Sequence, residues 1–140
     1  MTDSSCIFCK IAAGQIPCLR VFEDEAILAF LDIGPLAEGH LLVIPKQHYH
    51  RLEQMSPEEV SAISRHLPML GRAVLKATGA PAYNILQNNG VESGQAIPHV
   101  HFHIIPRKVA DGLGYRWNAG KYPPGRADEM QRLVTEALKS

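Results

Sequence analysis

The sequence has no excess of charge of either sign: 14 Lys and Arg balance 14 Asp and Glu over 140 residues, with an isoelectric point near 7.1. A surface built to hold a nucleic-acid polymer carries a basic excess, so that partner is not expected. The same balance excludes an acidic disordered chain. No stretch approaches the roughly 18–20 continuous apolar residues of a membrane span, and the longest apolar-rich runs, such as residues 41–45, have strand length. Residues 1–10 lack the basic start, apolar run and small-residue cleavage site of an export signal. Three cysteines, Cys6, Cys9 and Cys18, do not form a disulfide framework. A cytoplasmic location is the resulting expectation. Internal repeats, charge blocks and low-complexity tracts are also missing. What remains is one domain over residues 1–140, a length at which roughly 65–70% of the unfolded surface can be buried.

Within that domain, apolar spacing at Ile7, Ile11 and Ala12 predicts a short helix over 6–13, ended by Gly14. Residues 20–23 and 26–32 read as strands around the acidic turn Glu23-Asp24-Glu25, and 41–44 as a buried strand closed by Pro45. Ser56-Pro57-Glu58-Glu59 is a capping box with proline at the first helical position. The helix it starts carries Val60, Ile63, Leu67, Leu70, Val74 and Leu75 on one stripe, is kinked or split by Pro68, and ends at Gly79. Residues 83–87 and 100–106 are further strands, 111–125 an irregular segment, and 128–138 a terminal helix. Hairpin-length connections with segregated helices predict an α+β fold with an antiparallel sheet.

Seven histidines in 140 residues are about twice a usual share. Three alternate in Pro98-His99-Val100-His101-Phe102-His103-Ile104-Ile105-Pro106-Arg107. In a strand, Val100, Phe102 and Ile104 share one face, and His99, His101 and His103 share the other. The apolar set asks for a core. A merely solvated face usually carries Lys, Glu and Thr instead of three imidazoles. Two chemical readings remain open on periodicity: the three histidines share a catalytic metal, or one is a nucleophile oriented by its neighbours.

Cys6-Ile7-Phe8-Cys9 is either half a zinc site or a redox motif. The redox reading expects a preceding strand, and none fits before residue 6. Zinc needs two more ligands; His99 and either His48 or His50 are candidates, and soft thiolates favour zinc over magnesium or calcium. Cys18 reads as a plain thiol. The loop 87–95 contains Asn89-Gly90, a hairpin signal. Gly90 and Gly94 free its backbone for close approach to a ligand, with Asn88, Ser93 and Gln95 able to bond phosphate oxygens.

His-Val-His-Phe-His-Ile-Ile at 99–105 resembles the signature H-φ-H-φ-H-φ-φ of the histidine triad (HIT) nucleotide-binding family. Phe30-Leu31-Asp32-Ile33, Gly39-His40-Leu41-Leu42-Val43-Ile44-Pro45-Lys46-Gln47-His48, Asn88 and Gly94-Gln95 extend the match. Cys6-Ile7-Phe8-Cys9-Lys10-Ile11 is similar to the start of zinc-containing bacterial, Hint-like members. The resemblance covers about residues 6–108; 109–140 form a C-terminal extension without a counterpart.

The resemblance implies an antiparallel sheet of about five strands packed with helices, usually in a homodimer. It implies a nucleotidyl hydrolase or transferase acting at the α-phosphate of nucleoside phosphoramidates or related nucleotides. His101 would be the nucleophile, His103 would donate to or position the phosphate, and His40 would support them. Asp32 would bind the ribose hydroxyls, Phe30 and Ile33 would lie near the base, and Asn88 and Gln95 would contact phosphate. Cys6, Cys9, His48 and His99 would hold a structural zinc, with no organic cofactor. A histidine nucleophile presents one neutral nitrogen while the other gives its proton to a fixed acceptor, here a backbone carbonyl near His99. Ala96 departs from the hydroxyl side chain of several relatives beside the leaving group.

Three alternatives stand beside this function. One is a dinucleoside polyphosphate hydrolase of the fragile-histidine type, which Ile105-Pro106-Arg107-Lys108 and Ala110-Asp111 resemble. The others are a nucleotide-sensing or partner-binding module with little turnover, and an enzyme with a metal on all three triad histidines. In the extension, Tyr115, Trp117 and Tyr122 are expected to pack on the body. His50 and His66 are expected at the surface.

Overall fold

The computed structural model of the chain describes residues 3–114 and 119–139. A short helix α1 (Ile7–Ala12) precedes strands β1 (Arg20–Glu23), β2 (Ile27–Leu31) and β3 (Leu41–Pro45). Helices α2 (Pro57–Ser64) and α3 (Leu67–Thr78) follow, then β4 (Ala82–Gln87), β5 (Phe102–Arg107) and α4 (Arg126–Ala137). The strands form one antiparallel sheet in the order β1-β2-β3-β5-β4. This is the α+β architecture with about five strands that the patterning and the resemblance imply.

Alternation along the central strands assigns the two faces. Ile27, Ala29, Leu41, Val43, Phe102 and Ile104 point to one side, where Ile63, Leu70 and Val74 of α2 and α3 cover them. Leu28, Phe30, Leu42 and Ile44 point to the other, where α1 brings Cys6, Phe8, Cys9 and Ile11. Each fully buried aliphatic chain contributes about 1.5–3 kcal/mol, so β2 and β3 are held from both sides. Val100 belongs to the first face, and the three histidines of 99–103 therefore turn toward the α1 side, as alternation requires.

Local chemistry explains the helix boundaries. Ser56 Oγ accepts from Glu59 N at 3.1 Å, and Glu59 Oε1 accepts from Ser56 N at 2.9 Å. Pro68 splits the long apolar stripe into two helices: it sits in the first turn of α3, where its missing N–H costs nothing. Gly79 ends α3 at φ 69°, its N–H donating to Leu75 O at 2.9 Å.

Several expectations are corrected. The histidine strand enters the ladder only at Phe102, because its N-terminal part is committed to other partners: Val100 N donates to Tyr49 O at 2.7 Å. The loop 88–101 is not a tight hairpin; a short 3-10 turn, Val91–Ser93, lies inside it. His66 is half-buried rather than free at the surface: its Nε2 lies 2.9 Å from Asp24 Oδ2, and its ring packs 4.8 Å from that of Phe22. His50 is exposed as expected. Tyr122 is 64% exposed rather than packed, and Tyr115 and Trp117 lie outside the described residues. The terminal helix starts two residues early, after Gly125, with Asp128 and Glu129 in its first turn.

Candidate functional site

Helix α1 places two thiols one turn apart. Cys6 is its N-cap, with Sγ accepting from Cys9 N at 3.4 Å, and Cys9 Sγ accepts from Asp3 N at 3.4 Å. Opposite them stand His48, three residues beyond β3, and His99. His99 Nδ1 lies 3.3 Å from Cys6 Sγ, 3.6 Å from Cys9 Sγ and 3.2 Å from His48 Nδ1, and His48 Nδ1 lies 3.4 Å from Cys9 Sγ. A tetrahedral zinc, with bonds of about 2.3 Å to sulfur and 2.0–2.1 Å to nitrogen, would set its ligand atoms about 3.3–3.8 Å apart. The four donors fit that ion.

The proton inventory agrees. His99 Nε2–H donates to Pro45 O at 2.8 Å, which leaves Nδ1 with a lone pair aimed at the other three donors. Burial pushes the Cys9 thiol up, so a thiolate there asks for a cation beside it. His48 Nε2, buried with no hydrogen-bond partner among the described residues, has Asp3 Oδ2 3.8 Å away, where it can orient the ring from behind. The structure thus separates His48, which faces the cluster, from His50, whose ring lies edge-on to His48.

The histidine row runs from this cluster into a cleft of about 320 Å³. His101 Nδ1–H donates to the backbone O of His99 at 2.7 Å, so Nε2 keeps its lone pair. His103 pairs with Leu42 across the β3–β5 ladder, and its Nδ1 lies 2.8 Å from His40 Nε2. The tautomers follow from one fixed donor. Leu36 N–H reaches His40 Nδ1 at 3.1 Å, so His40 carries its proton on Nε2 and gives it to His103 Nδ1. His103 is left with Nε2–H as a donor. A glycine must precede His40: Gly39 has φ 95°, and a Cβ there would collide with the Thr78 side chain.

Burial keeps these imidazoles neutral. It pushes His103 down to about 4, with His101 and His40 nearby adding to the effect and Asp32 opposing it. Burial lowers His101 and His40 as well, again against the Asp32 carboxylate. Asp32 Oδ2 stands 3.7 Å from His40 Nε2, while Oδ1 accepts from Gly34 N at 2.8 Å. No converging ligand set among the described residues contains His99, His101 and His103 together, which removes the geometric basis for one metal on all three.

Phe30, Asp32, Ile33, His101 and His103 line one cleft. Ile33 is 90% exposed at the mouth and Phe30 is buried in the wall. Gln95 is different. Its Oε1 accepts from Gly90 N at 2.7 Å, and its Nε2 donates to His50 O at 2.7 Å and Ile97 O at 3.1 Å. Its side chain shapes the loop instead of standing free. Asn88 lines a neighbouring depression with Asn84, Ser93 and Arg107.

Phe8, Cys18, Leu42 and Ile97 also wall the cleft, and the Leu36 amide supports His40, roles that no motif in the sequence marks by itself. The position of Phe8 between the two cysteines of the C-x-x-C motif is the available signal.

A model of the HIT domain family matches residues 13–110. Adenylylsulfatase HINT3 of Arabidopsis thaliana is 48% identical over 111 residues, 79% of this chain; the chain spans 56% of that relative's length. Adenosine 5'-monophosphoramidase hnt1 of Schizosaccharomyces pombe is 43% identical over 136 residues, covering 96% of this chain and 99% of its own. The crystal structure of a Zn-bound histidine triad family protein from Mycobacterium smegmatis superposes with a TM-score of 0.74 at 37% identity, covering 96% of this chain and 94% of that one.

Proposed function

The chain belongs to the HIT domain family, and from that premise we propose that it hydrolyses nucleotides at the α-phosphate through a nucleotidyl-His101 intermediate. The substrate class is nucleoside phosphoramidates and related adenylyl compounds, which two relatives carry in their names. The observation that supports this most is the His101 tautomer. With Nδ1–H held by the His99 carbonyl, the Nε2 lone pair is free in the cleft.

In this reading the base lies between Phe30 and Ile33, and Asp32 accepts from the ribose hydroxyls. His101 Nε2 attacks phosphorus, and the bond to the leaving group breaks. The leaving group departs with the bonding pair and takes a proton from solvent. His103 Nε2–H, oriented through His40 and the Leu36 amide, donates to a phosphate or leaving-group oxygen or nitrogen. Water then forms a P–O bond as the P–Nε2 bond breaks, gives up a proton to solvent, and leaves His101 Nε2 with its lone pair restored. Two easier displacements replace one hard one. Positioning and charge stabilisation supply most of the rate. Asn88 contacts phosphate in this reading, and Gln95 acts by holding the loop.

Cys6, Cys9, His48 and His99 hold a zinc ion in the same reading. Four protein ligands leave it no open position, so its contribution is to tie α1 to the sheet. A homodimer and a cytoplasmic location complete the proposal; no described helix is long and apolar enough to cross a membrane. A substrate panel tests it: adenosine and guanosine phosphoramidates against dinucleoside polyphosphates. Turnover of phosphoramidates that is lost by at least ~10³-fold in His101→Ala supports it. Turnover of polyphosphates alone would move the protein to the alternative substrate class, and undiminished activity of His101→Ala would end the covalent reading.

A further inference from the structure

Helix α1 has only six residues, too few to be stable without tertiary anchors. Its first turn is anchored in the ligand cluster, Cys6 as the cap and Cys9 three residues on. Between them Phe8 projects into the cleft and is buried. Its ring centre lies 5.2 Å from that of His101 at 80°, 5.8 Å from that of His99 at 82°, and 5.8 Å from that of Phe30 at 75°. All three are edge-to-face contacts, the geometry favoured by the ring quadrupole.

One hydrogen bond, Nδ1–H to the His99 carbonyl, fixes one direction of the His101 ring. Tilting about that bond would still swing Nε2 out of line with phosphorus. A misplacement of about 1 Å at a reacting atom can cost about 10²-fold. The His103 ring, 4.9 Å away at 67°, borders His101 on the strand side, and Phe8 closes it from α1. The hydrogen-bond acceptor is the carbonyl of one cluster ligand, and the ring contact sits between two others.

We propose that Phe8 is a positioning residue for His101, the ring that limits tilt of the nucleophile and is itself held by the Cys6/Cys9 anchors. The inference rests on reading His101 as the nucleophile. It gives Phe8 a role distinct from that of Phe30, which lines the same cleft and whose ring packs against Phe8.

The test compares zinc-loaded Phe8→Leu with zinc-loaded Phe30→Leu. Both keep an apolar cleft, and only the first removes the ring against His101. Phe8→Leu is expected to lower kcat for adenosine phosphoramidate about tenfold, the scale of an aromatic contact, with a smaller change in KM. Phe30→Leu is expected to raise KM with a smaller change in kcat. Imidazole nitrogen NMR gives a readout independent of turnover. The His101 signals should move from one fixed Nδ1–H form toward an averaged form in Phe8→Leu and stay fixed in Phe30→Leu. Phe8→Met, of similar volume and without a ring, should repeat the Phe8→Leu result on a second side chain. Identical kinetics for the two positions, or unchanged His101 signals in both Phe8 variants, would overturn the proposal. Activity that survives His101→Ala would instead overturn the nucleophile reading, and the NMR comparison would still decide whether Phe8 orients the ring.

Discussion

His40→Ala is the sharpest perturbation of the histidine relay. His40 is 2% exposed and joins two groups: Leu36 N–H at 3.1 Å on one side and His103 Nδ1 at 2.8 Å on the other. Truncation leaves both without this partner and opens a cavity where the imidazole stood. An unsatisfied buried group costs about 1–3 kcal/mol, and lost packing adds to it, so a total near 3 kcal/mol is expected. For a domain of this size that corresponds to a fall in Tm of about 10 °C. The catalytic loss should be larger than stability explains. Without the His40 donor, His103 is free to move its proton to Nδ1, and it then presents a lone pair where the phosphate needs a donor. A loss of about 10²-fold in kcat is expected, measured on adenosine phosphoramidate well below the new Tm. His40→Gln, which restores an N–H donor toward His103, should recover part of that loss. Wild-type kcat in His40→Ala, with Tm lowered as expected, would refute the relay.

Metal analysis of protein purified without chelator should find about one zinc per chain, and Cys9→Ala should abolish it; metal-free wild-type protein with reduced Cys6 and Cys9 would contradict the assigned ligand set. Asp32→Ala should raise KM for ribonucleotide substrates roughly tenfold or more and spare analogues lacking both ribose hydroxyls, whereas equal effects on the two would deny the ribose contact. Acid should weaken the fold through the buried histidines. His103 is held down to about 4 by burial, while an unfolded chain takes up the proton near 6.5, so its contribution is full above about 6.5 and is lost as pH falls toward about 4. Denaturant unfolding followed from pH 7.5 to 4 checks this, and stability that is flat across that window would contradict it.

Much of the architecture was legible because it rests on short-range rules. Alternation put Val100, Phe102 and Ile104 on one face and the histidines on the other, and the Ser56 capping box and Pro68 located the breaks in the helical stripe. What periodicity does not carry is the partner of each polar atom. Whether His48 or His50 joins Cys6 and Cys9 depends on how the chain turns after Pro45, and spacing left both open. His66 looked like a surface residue because its partner, Asp24, is 42 residues away in sequence. The Gln95 amide satisfies the backbone of its own loop and of His50, partners that its spacing from the triad does not disclose. The relay through the Leu36 amide involves a main-chain donor, which no side-chain motif reveals. Tyr122 shows the reverse case: an aromatic residue in a segment rich in Gly and Pro suggests packing, and it stays exposed.

The central claim is a covalent bond between the nucleotide and His101. The direct measurement is rapid acid-free quenching of the enzyme with adenosine phosphoramidate, followed by peptide mass analysis. The account predicts one adenylyl group on the peptide carrying His101, formed and lost at rates that support turnover and absent in His101→Ala. Steady turnover without that adduct, or an adduct on another residue that persists in His101→Ala, would contradict it.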